Sequence, residues 1–181
     1  NPLFIESIQT FPSVADRSVK VKITLSKASG IDGKQIRLSA AAFNSPGKHK
    51  VKVAEYVLKE GCKEYEFVYQ LGNKALLWSD LQPALYRLKA EIDGIDEQTV
   101  RFGLRDFRAE QTHFTINGAK TFLRGKHDAC VFPLTGYTAM DLEQWRRYFR
   151  ICKEYGLNHC RFHSWCPPAA CFEAADLEGI Y

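Results

Sequence analysis

Side chains that commonly bind metal ions gather in one short stretch near the end of the sequence. Five of them lie within thirteen positions: His159, Cys160, His163, Cys166 and Cys171. A structural zinc site takes two ligand pairs with short internal spacing, such as two C-x-x-C pairs. His163-x-x-Cys166 supplies one pair and no second exists, while strand alternation turns Cys160 away from both histidines. The sequence therefore predicts no metal site, and nothing in it requires a cofactor.

Other polar side chains end two predicted strands, residues 123–127 and 159–163. These side chains are candidates for binding a ligand: His127, Asp128, Arg161 and His163. If the strands are parallel neighbours, their carboxyl ends meet at one edge and the four side chains converge there. Asp128 has two alternative roles, because it can contact the ligand or form a salt bridge with Arg161. Lys126 is expected to be buried against a carboxylate.

The elements that position these residues alternate between strands and helices. Asn117-Gly118, between two alternating runs, predicts a β-hairpin over residues 114–123. Asp141 is a favourable N-cap with Gln144 three residues on, so a helix is predicted to start there and to stop at Gly156. Cys160 and its neighbours then form the next strand.

A second helix is predicted over residues 169–177, with Pro167 and Pro168 in its first turn and Gly179 as its stop. The order strand, helix, strand, helix opens a parallel α/β fold. An eight-stranded barrel needs ~250 residues. If the fold is such a barrel, residues 109–181 are only the first quarter to third of it, the truncated N-terminal part of a (β/α)8 TIM barrel.

The first half of the sequence, residues 1–108, has the pattern of a β-sandwich. Val19–Leu25 alternates apolar and polar residues, and similar runs recur up to Phe102 with glycine-containing turns between them. About seven short strands at this spacing favour an antiparallel, immunoglobulin-like sandwich. This half has a single cysteine, Cys62, so the sandwich is expected to fold without an internal disulfide.

Composition limits the classes of function. The formal net charge is +4, and the basic residues are spread evenly, which argues against nucleic-acid binding. No apolar run is long enough to span a membrane, and the start lacks the pattern of a signal peptide. The cysteines do not fix the compartment; a periplasmic or extracellular location is slightly favoured over a cytoplasmic one. The sequence begins with Asn1 instead of methionine and ends with two strand-forming residues, Ile180 and Tyr181, directly after a helix stop. We therefore expect it to be a piece of a longer protein.

Five motifs in order along the chain resemble those of glycoside hydrolase family 2, the superfamily of β-galactosidases and β-glucuronidases. They are Leu77-Trp78-Ser79 with Pro83, Leu85 and Tyr86; Arg101–Arg105; Phe114–Gly118 with Leu123–Gly125; Lys153-x-x-Gly156-x-Asn158-x-x-Arg161, preceded by Pro133-Leu134-x-Gly136; and Ala175-Asp176-x-x-Gly179. The resemblance implies a sandwich followed by the start of a TIM barrel, with carbohydrate as the substrate. Trp78 and Trp145 are expected in the core.

The resemblance also gives the candidate residues a role. Arg161, His163, His127 and Asp128 are expected to bind the sugar, and Trp165 to stack on its ring; the alternative for each is a purely structural role. Well-known branches of the family carry histidines where this chain has Ala129 and Ser164. These departures indicate a divergent branch with its own sugar preference.

Hydrolysis with retention requires two carboxyl groups about 5–5.5 Å apart. The resemblance places both as glutamates on later barrel strands, beyond residue 181, so the chain alone is expected to be inactive. Its own nearby acids fall on the predicted helices: Glu143, Glu154, Glu173 and Asp176. The alternative is a non-enzymatic carbohydrate-binding or adhesion module. Phe162, Ile180 and Tyr181 are expected to meet water unless the truncated barrel associates with itself, collapses or becomes disordered.

Overall fold

The computed structural model describes residues 2–181, which form two compact units. The first unit extends to Leu77 and resumes over Ala84–Asp106. The second comprises Trp78–Pro83 and Phe107–Tyr181. The segment 78–83, which the sequence analysis placed in the sandwich half, is therefore part of the second unit. No helix among residues 2–181 has the length and apolar character needed to cross a membrane.

Seven strands build two antiparallel sheets in the first unit. One sheet has the order β1-β2-β5, with β1 at Ile5–Ser13, β2 at Ser18–Leu25 and β5 at Glu64–Gln70. The other has the order β4-β3-β6-β7, with β3 at Gln35–Phe43, β4 at Ala54–Val57, β6 at Leu85–Ile92 and β7 at Asp96–Phe102. The prediction of about seven strands in this half is confirmed.

The two sheets share one apolar core. Alternating residues of β2 point inward, and Val19, Val21 and Leu25 are fully buried. They pack in one cluster with Leu38 of β3 and Leu88 of β6. Each buried side chain of this size contributes about 1.5–3 kcal/mol through removal from water. The alternation of apolar and polar residues therefore reflects two packed sheets, each with one face in the core and one face in contact with solvent.

A small antiparallel sheet opens the main part of the second unit. It has the order β10-β9-β8, with β8 at Phe107–Glu110, β9 at His113–Ile116 and β10 at Ala119–Thr121. Asn117 and Gly118 both have positive φ, +51° and +80°, as the tight turn between β9 and β10 requires. The predicted hairpin is confirmed, whereas β8 was not predicted.

Two parallel strands, β11 at Gly125–Asp128 and β12 at His159–Phe162, follow this sheet in the chain. The predicted strand over residues 123–127 is thus displaced. Arg124 donates its backbone N–H to the Asn158 side chain at 2.9 Å, and the same side chain donates to the carbonyl of Phe122. The Asn158 side chain thus binds the backbone N–H of Arg124 and the carbonyl of Phe122, on either side of Leu123. The parallel ladder between β11 and β12 therefore begins at Gly125, two residues after the predicted start at Leu123.

Helix α1, Leu142–Glu154, begins and ends where the sequence predicts. The Asp141 carboxylate accepts the N–H of Gln144 at 2.9 Å, and Gly156 follows the last turn with φ +75°. The Gln144 side chain donates to the Asp141 carboxylate, not back to its own N-cap backbone. Helix α2, Ala169–Glu178, has Pro168 as its N-cap, so the prolines precede the first turn predicted to contain them.

The helices cover an apolar core on one side of β12. Its buried members are Trp145, Phe149, Cys171, Ala174 and Ile180, with Phe162 packed partly against them. The expectation that Phe162, Ile180 and Tyr181 meet water is wrong: Ile180 is 4% exposed, and the other two are half-buried. Both helices contribute to this cluster, so the second unit has an apolar core of its own.

Tyr181 pairs with β12 in the manner of a third parallel strand. Its N–H donates to the carbonyl of Asn158 at 2.8 Å, and its carbonyl accepts from Cys160 at 3.1 Å. The strand-forming residues at positions 180 and 181 thus lie beside β12, on the side away from β11.

Two residues of the segment 78–83, Trp78 and Asp80, are buried in the second unit. The Trp78 indole N–H donates to the carbonyl of Asp176 at 2.8 Å. Asp80 accepts through its carboxylate from Asn158 at 3.0 Å and from Tyr181 at 2.9 Å. Trp78 is 2% exposed and Trp145 is 1% exposed, so the prediction that both are core residues is confirmed.

Candidate functional site

The parallel register of β11 and β12 sorts the candidate residues onto two faces. His127 lies opposite Arg161, and Asp128 lies opposite Phe162. Successive residues of a strand point to opposite faces, whereas paired residues of neighbouring strands share one. His127 and Arg161 therefore project from one face, which we call the histidine face, and Asp128 and Phe162 project from the other.

The histidine face brings together residues from both strand ends. The rings of His127 and His163 are 5.0 Å apart between centroids and tilted by 38°. His163 also forms a hydrogen bond of 2.9 Å between Nδ1 and the Ser164 hydroxyl. His127, Arg161 and His163 are all exposed. The arrangement offers two imidazoles and a guanidinium to a polar ligand, without an acidic side chain from either strand on the same face.

The beginning of the same face is closed by His159. Its ring lies over Gly125, where an added Cβ would come within 2.5 Å of the imidazole Nδ1. Burial lowers the pKa of His159, which favours its neutral form. A larger residue at position 125 would therefore require the His159 ring to move.

Asp128 lies on the opposite face, in a buried network. Its Oδ2 accepts from the Tyr148 hydroxyl at 2.7 Å and from Lys126 Nζ at 3.2 Å, and its Oδ1 accepts the Cys130 N–H at 2.9 Å. Burial alone raises the pKa of this carboxyl, but the bonds from Tyr148, Cys130 and Lys126 outweigh it, and the net pKa is lowered. Asp128 is therefore held as a buried carboxylate.

These contacts correct two expectations from the sequence. The ion pair of Asp128 is formed with Lys126 instead of Arg161, and its side chain does not converge with those of His127, Arg161 and His163. Lys126 does have a carboxylate partner, but its side chain is 40% exposed, so it is not buried as expected.

The candidate stacking residue, Trp165, is packed into the loop after β12. Its indole N–H donates to the backbone carbonyl of Asp128 at 3.3 Å. Its ring meets Phe132 and Phe162 edge to face, with centroids 6.0 and 5.2 Å away. Trp165 is half-buried. Part of the ring therefore serves packing, while the remainder is accessible.

Both loops that leave the parallel strands contain a non-glycine residue in the left-handed region. Cys130, two residues after β11, has φ +61°, and Ser164, two residues after β12, has φ +54°. This conformation is uncommon outside glycine and costs of order 1–3 kcal/mol, so surrounding bonds must hold it. At Cys130 the bond from its N–H to the Asp128 carboxylate does so, whereas at Ser164 the bond to His163 is made by the side chain.

Tyr148 is the one side chain of this network that the sequence did not single out. It lies three residues after Trp145 and four before Cys152, which places it on the same face of α1. Burial, and next the Asp128 carboxylate, raise the pKa of its phenol, so it stays a hydrogen-bond donor. The helical spacing alone was a signal that Tyr148 faces the strands.

All six cysteines are free thiols, and Cys160 Sγ lies 3.9 Å from the Tyr148 hydroxyl, on the face away from His159 and His163. Among residues 2–181 no three His, Cys, Asp or Glu side chains are grouped as metal ligands.

Comparison with known proteins identifies the family. Residues 3–105 match the family model described as Glycosyl hydrolases family 2, which covers more than half of the chain. The chain therefore belongs to glycosyl hydrolase family 2. A search of curated proteins finds no match.

Solved structures show the same fold over nearly the whole chain. A family 2 member from Bacteroides cellulosilyticus is 25% identical with a TM-score of 0.72, covering 99% of this chain and 26% of that one. Beta-glucuronidase 3 from Bacteroides uniformis is 26% identical with a TM-score of 0.67, covering 99% and 22%. Faecalibacterium prausnitzii beta-glucuronidase is 20% identical with a TM-score of 0.75, covering 98% and 27%. The chain spans about a quarter of the length of these structures.

Proposed function

We propose that the chain is part of a retaining glycoside hydrolase and that its histidine face binds the sugar. In this proposal His127, Arg161 and His163 hydrogen-bond the sugar hydroxyls, and the accessible part of Trp165 contacts the ring. Family membership supports the carbohydrate substrate. The observation that carries the proposal is the pairing of His127 and His163, 5.0 Å apart at the carboxyl ends of two parallel strands.

The proposed architecture explains why these strand ends matter. We infer that the first unit is an immunoglobulin-like sandwich and that β11, α1, β12 and α2 are the first two βα units of a TIM barrel. Support comes from the parallel ladder, the helices on one side of it and the parallel pairing of Tyr181 beside β12. Barrel enzymes place their chemistry at the carboxyl ends of the strands.

The catalytic carboxylates are proposed to come from outside residues 1–181. Retention requires a pair of carboxyl groups about 5–5.5 Å apart, one as acid and base and one as nucleophile. Glu143 and Glu154 lie on α1, Glu173 and Asp176 lie on α2, and Asp128 is engaged on the opposite face. The chain by itself is therefore expected to bind sugars without hydrolysing them.

Binding to the histidine face is tested by titrating the chain with monosaccharides while recording ¹H–¹⁵N spectra. The panel includes glucuronate and galacturonate, because several of the similar structures are named as glucuronidases or a galacturonidase. His127→Ala and His163→Ala are expected to weaken binding about 2–10-fold each, the worth of one hydrogen bond. His113→Ala, a histidine on β9, is the matched control.

A panel of aryl glycosides tests the absence of hydrolysis. We expect no turnover by the chain above the uncatalysed rate, because the route needs both carboxyl groups. Clear turnover that survives repeated purification would contradict the placement of the catalytic pair. If no sugar binds, or if His127→Ala and His113→Ala bind equally well, the histidine face is not the sugar site.

A further inference from the structure

Asp128 connects β11 to both loops that carry the candidate residues. Its carboxylate accepts the N–H of Cys130 in the loop after β11. Its backbone carbonyl accepts the N–H of His163 at 2.8 Å and the indole N–H of Trp165 at 3.3 Å, both after β12. One residue thus fixes the first turn of each loop.

We propose that Asp128 is a positioning residue, which sets the places of His163 and Trp165 through hydrogen bonds and does not itself contact the sugar. The identity of the bound ligand in this inference rests on the proposed function. The positioning role rests on the contacts alone.

Direct contact with a ligand is disfavoured by the occupation of the carboxylate. Both of its oxygens accept hydrogen bonds within the protein, from Cys130 at Oδ1 and from Tyr148 and Lys126 at Oδ2. The residue is 5% exposed and projects to the face opposite His127. A ligand on the histidine face would have to displace at least one of these bonds to reach it.

Tyr148 and Lys126 anchor the carboxylate from two directions. Tyr148 belongs to α1 and is half-buried, so its hydroxyl ties Asp128 to the helix. Lys126 lies on β11 itself, and its ammonium stands over the Tyr148 ring at 4.3 Å from the centroid. Hydrogen bonds to a charged group are stronger than neutral ones. The carboxylate therefore has a fixed place relative to the helix, and the backbone carbonyl of Asp128 is fixed with it.

The chain contains three tryptophans, and each donates its indole N–H to a different carbonyl. Trp165 donates to Asp128, Trp145 to Ala139 and Trp78 to Asp176. In ¹H–¹⁵N spectra these three indole signals separate a local change at Trp165 from a general loosening of the second unit. Hydrogen exchange of the His163 amide reports the second bond to the Asp128 carbonyl.

The test compares Asp128→Asn and Tyr148→Phe with Glu143→Gln, which removes an exposed charge from α1. We expect Asp128→Asn to shift the Trp165 indole signal and to speed exchange of the His163 amide about tenfold, as loss of charged hydrogen bonds implies. Tyr148→Phe should shift the Trp165 indole signal in the same direction and should speed exchange of the His163 amide about threefold. The signals of Trp78 and Trp145 should stay in place, and Glu143→Gln should resemble the wild type.

Two results would overturn the inference. In one, Asp128→Asn leaves the Trp165 and His163 signals unchanged but abolishes sugar binding, which would make Asp128 a contact residue. In the other, all three indole signals shift together, which would make its role general stability. If the wild-type chain binds no sugar, the proposed ligand is wrong, while the unliganded spectra still decide the role of Asp128.

Discussion

At the scale of single residues, the polar side chains of the second unit fall into two groups. Some are exposed and accessible to a ligand, and others are hydrogen-bonded within the protein. His127 and His163 are exposed at the strand ends. On the opposite face of β11, the Tyr148 hydroxyl donates a hydrogen bond to the Asp128 carboxylate. A buried carboxylate keeps its charge only when donors compensate for lost water. The availability of a side chain for a ligand is thus set by which face of the strand it occupies.

The lowered pKa of Asp128 predicts a specific dependence of stability on acid. A carboxylate whose pKa is lower in the folded state stabilises that state above its unfolded pKa, about 3.9. This contribution is lost as the pH falls through the folded-state pKa. Asp128→Asn should therefore be less stable than the wild type near pH 7, and the difference should shrink below about pH 4.

Urea unfolding between pH 2 and 7, followed by tryptophan fluorescence, measures this difference. Glu143→Gln serves as the matched control, since the Glu143 side chain is 70% exposed and its partner Arg146 keeps a second carboxylate, that of Glu178. A difference between wild type and Asp128→Asn that is independent of pH would contradict the assignment of a stabilising charge to Asp128.

The thiols are predicted to react in the order of their exposure. Cys130 and Cys166 are exposed, whereas burial raises the pKa of Cys171 to about 12. Because the thiolate is the reactive form, Cys171 should be alkylated at least about 100-fold more slowly at pH 8. Mass spectrometry of iodoacetamide-treated peptides measures the rates, and denatured protein provides the reference. Equal rates for Cys130 and Cys171 in native protein would contradict the burial of Cys171.

At the scale of elements, polar contacts at the start of β11 and β12 fix where both strands begin. Asn158 binds the backbone on either side of Leu123, and its side chain donates to Asp80. Lys153 of α1 donates to the backbone carbonyls of Asp80 and Glu178. Asp80 of the segment 78–83 thus contacts both α1 and the residue that precedes β12. We therefore expect the position at which β11 and β12 pair to depend on this segment.

A substitution at Gly179 tests the contact between the end of α2 and the segment 78–83. It ends α2 with φ +75°, and an added Cβ would come within 2.6 Å of the Asp80 carbonyl oxygen. Gly179→Ala should lower the free energy of unfolding by about 2–4 kcal/mol, through left-handed strain and a backbone clash. Gly136→Ala has the same φ of +75° with nothing within 4 Å of the added Cβ, so only the strain of about 1 kcal/mol applies. Equal losses in urea unfolding would contradict the role of the contact.

At the scale of the whole molecule, each unit has its own core and its own optical signal. All three tryptophans lie in the second unit: Trp78, Trp145 and Trp165. The strands of the first unit dominate the β-structure seen by circular dichroism. Unfolding can therefore be followed separately for the two units in one sample.

Asp80→Ala is predicted to destabilise the second unit selectively. It removes the acceptor of the Tyr181 hydroxyl and one of the two acceptors of the buried Asn158 amide, which keeps its bond to the Phe122 carbonyl. Each lost acceptor costs about 1–3 kcal/mol. The midpoint measured by tryptophan fluorescence should fall, and the midpoint measured by circular dichroism should fall less. Asp93→Ala, which removes an exposed partner of Arg37 in the first unit, is the control and should cost at most about 0.5 kcal/mol.

Self-association remains a prediction for the second unit. A cavity of about 410 Å³ lies between the loop after β11 and α1, with Leu134 98% exposed at its lining. Exposed apolar surface of this kind favours association. Sedimentation should show a mass that rises with concentration, less so for Leu134→Ser. Leu81→Ser, equally accessible but away from this cavity, is the control. A constant monomer mass would contradict the prediction.

Local patterns in the sequence determined most elements and their limits. The Asn117-Gly118 turn, the Asp141 N-cap and the stop at Gly156 each depend on residues within a few positions, so they can be predicted without the fold. Strand alternation also determined that Cys160 turns away from its neighbouring histidines. The five ordered motifs indicated the family for the same reason, since each is a short local pattern.

Only the tertiary structure decided which side of β11 faces the helices and what holds the strands at their start. Alternation separates His127 from Asp128 but does not say which one meets α1; the packing of Tyr148 against Asp128 does. The bond from Asn158 to Asp80 joins residues 78 positions apart, and that from Trp78 to Asp176 joins residues 98 apart. Such contacts form only when distant elements come together, because no local pattern specifies a partner so far along the chain.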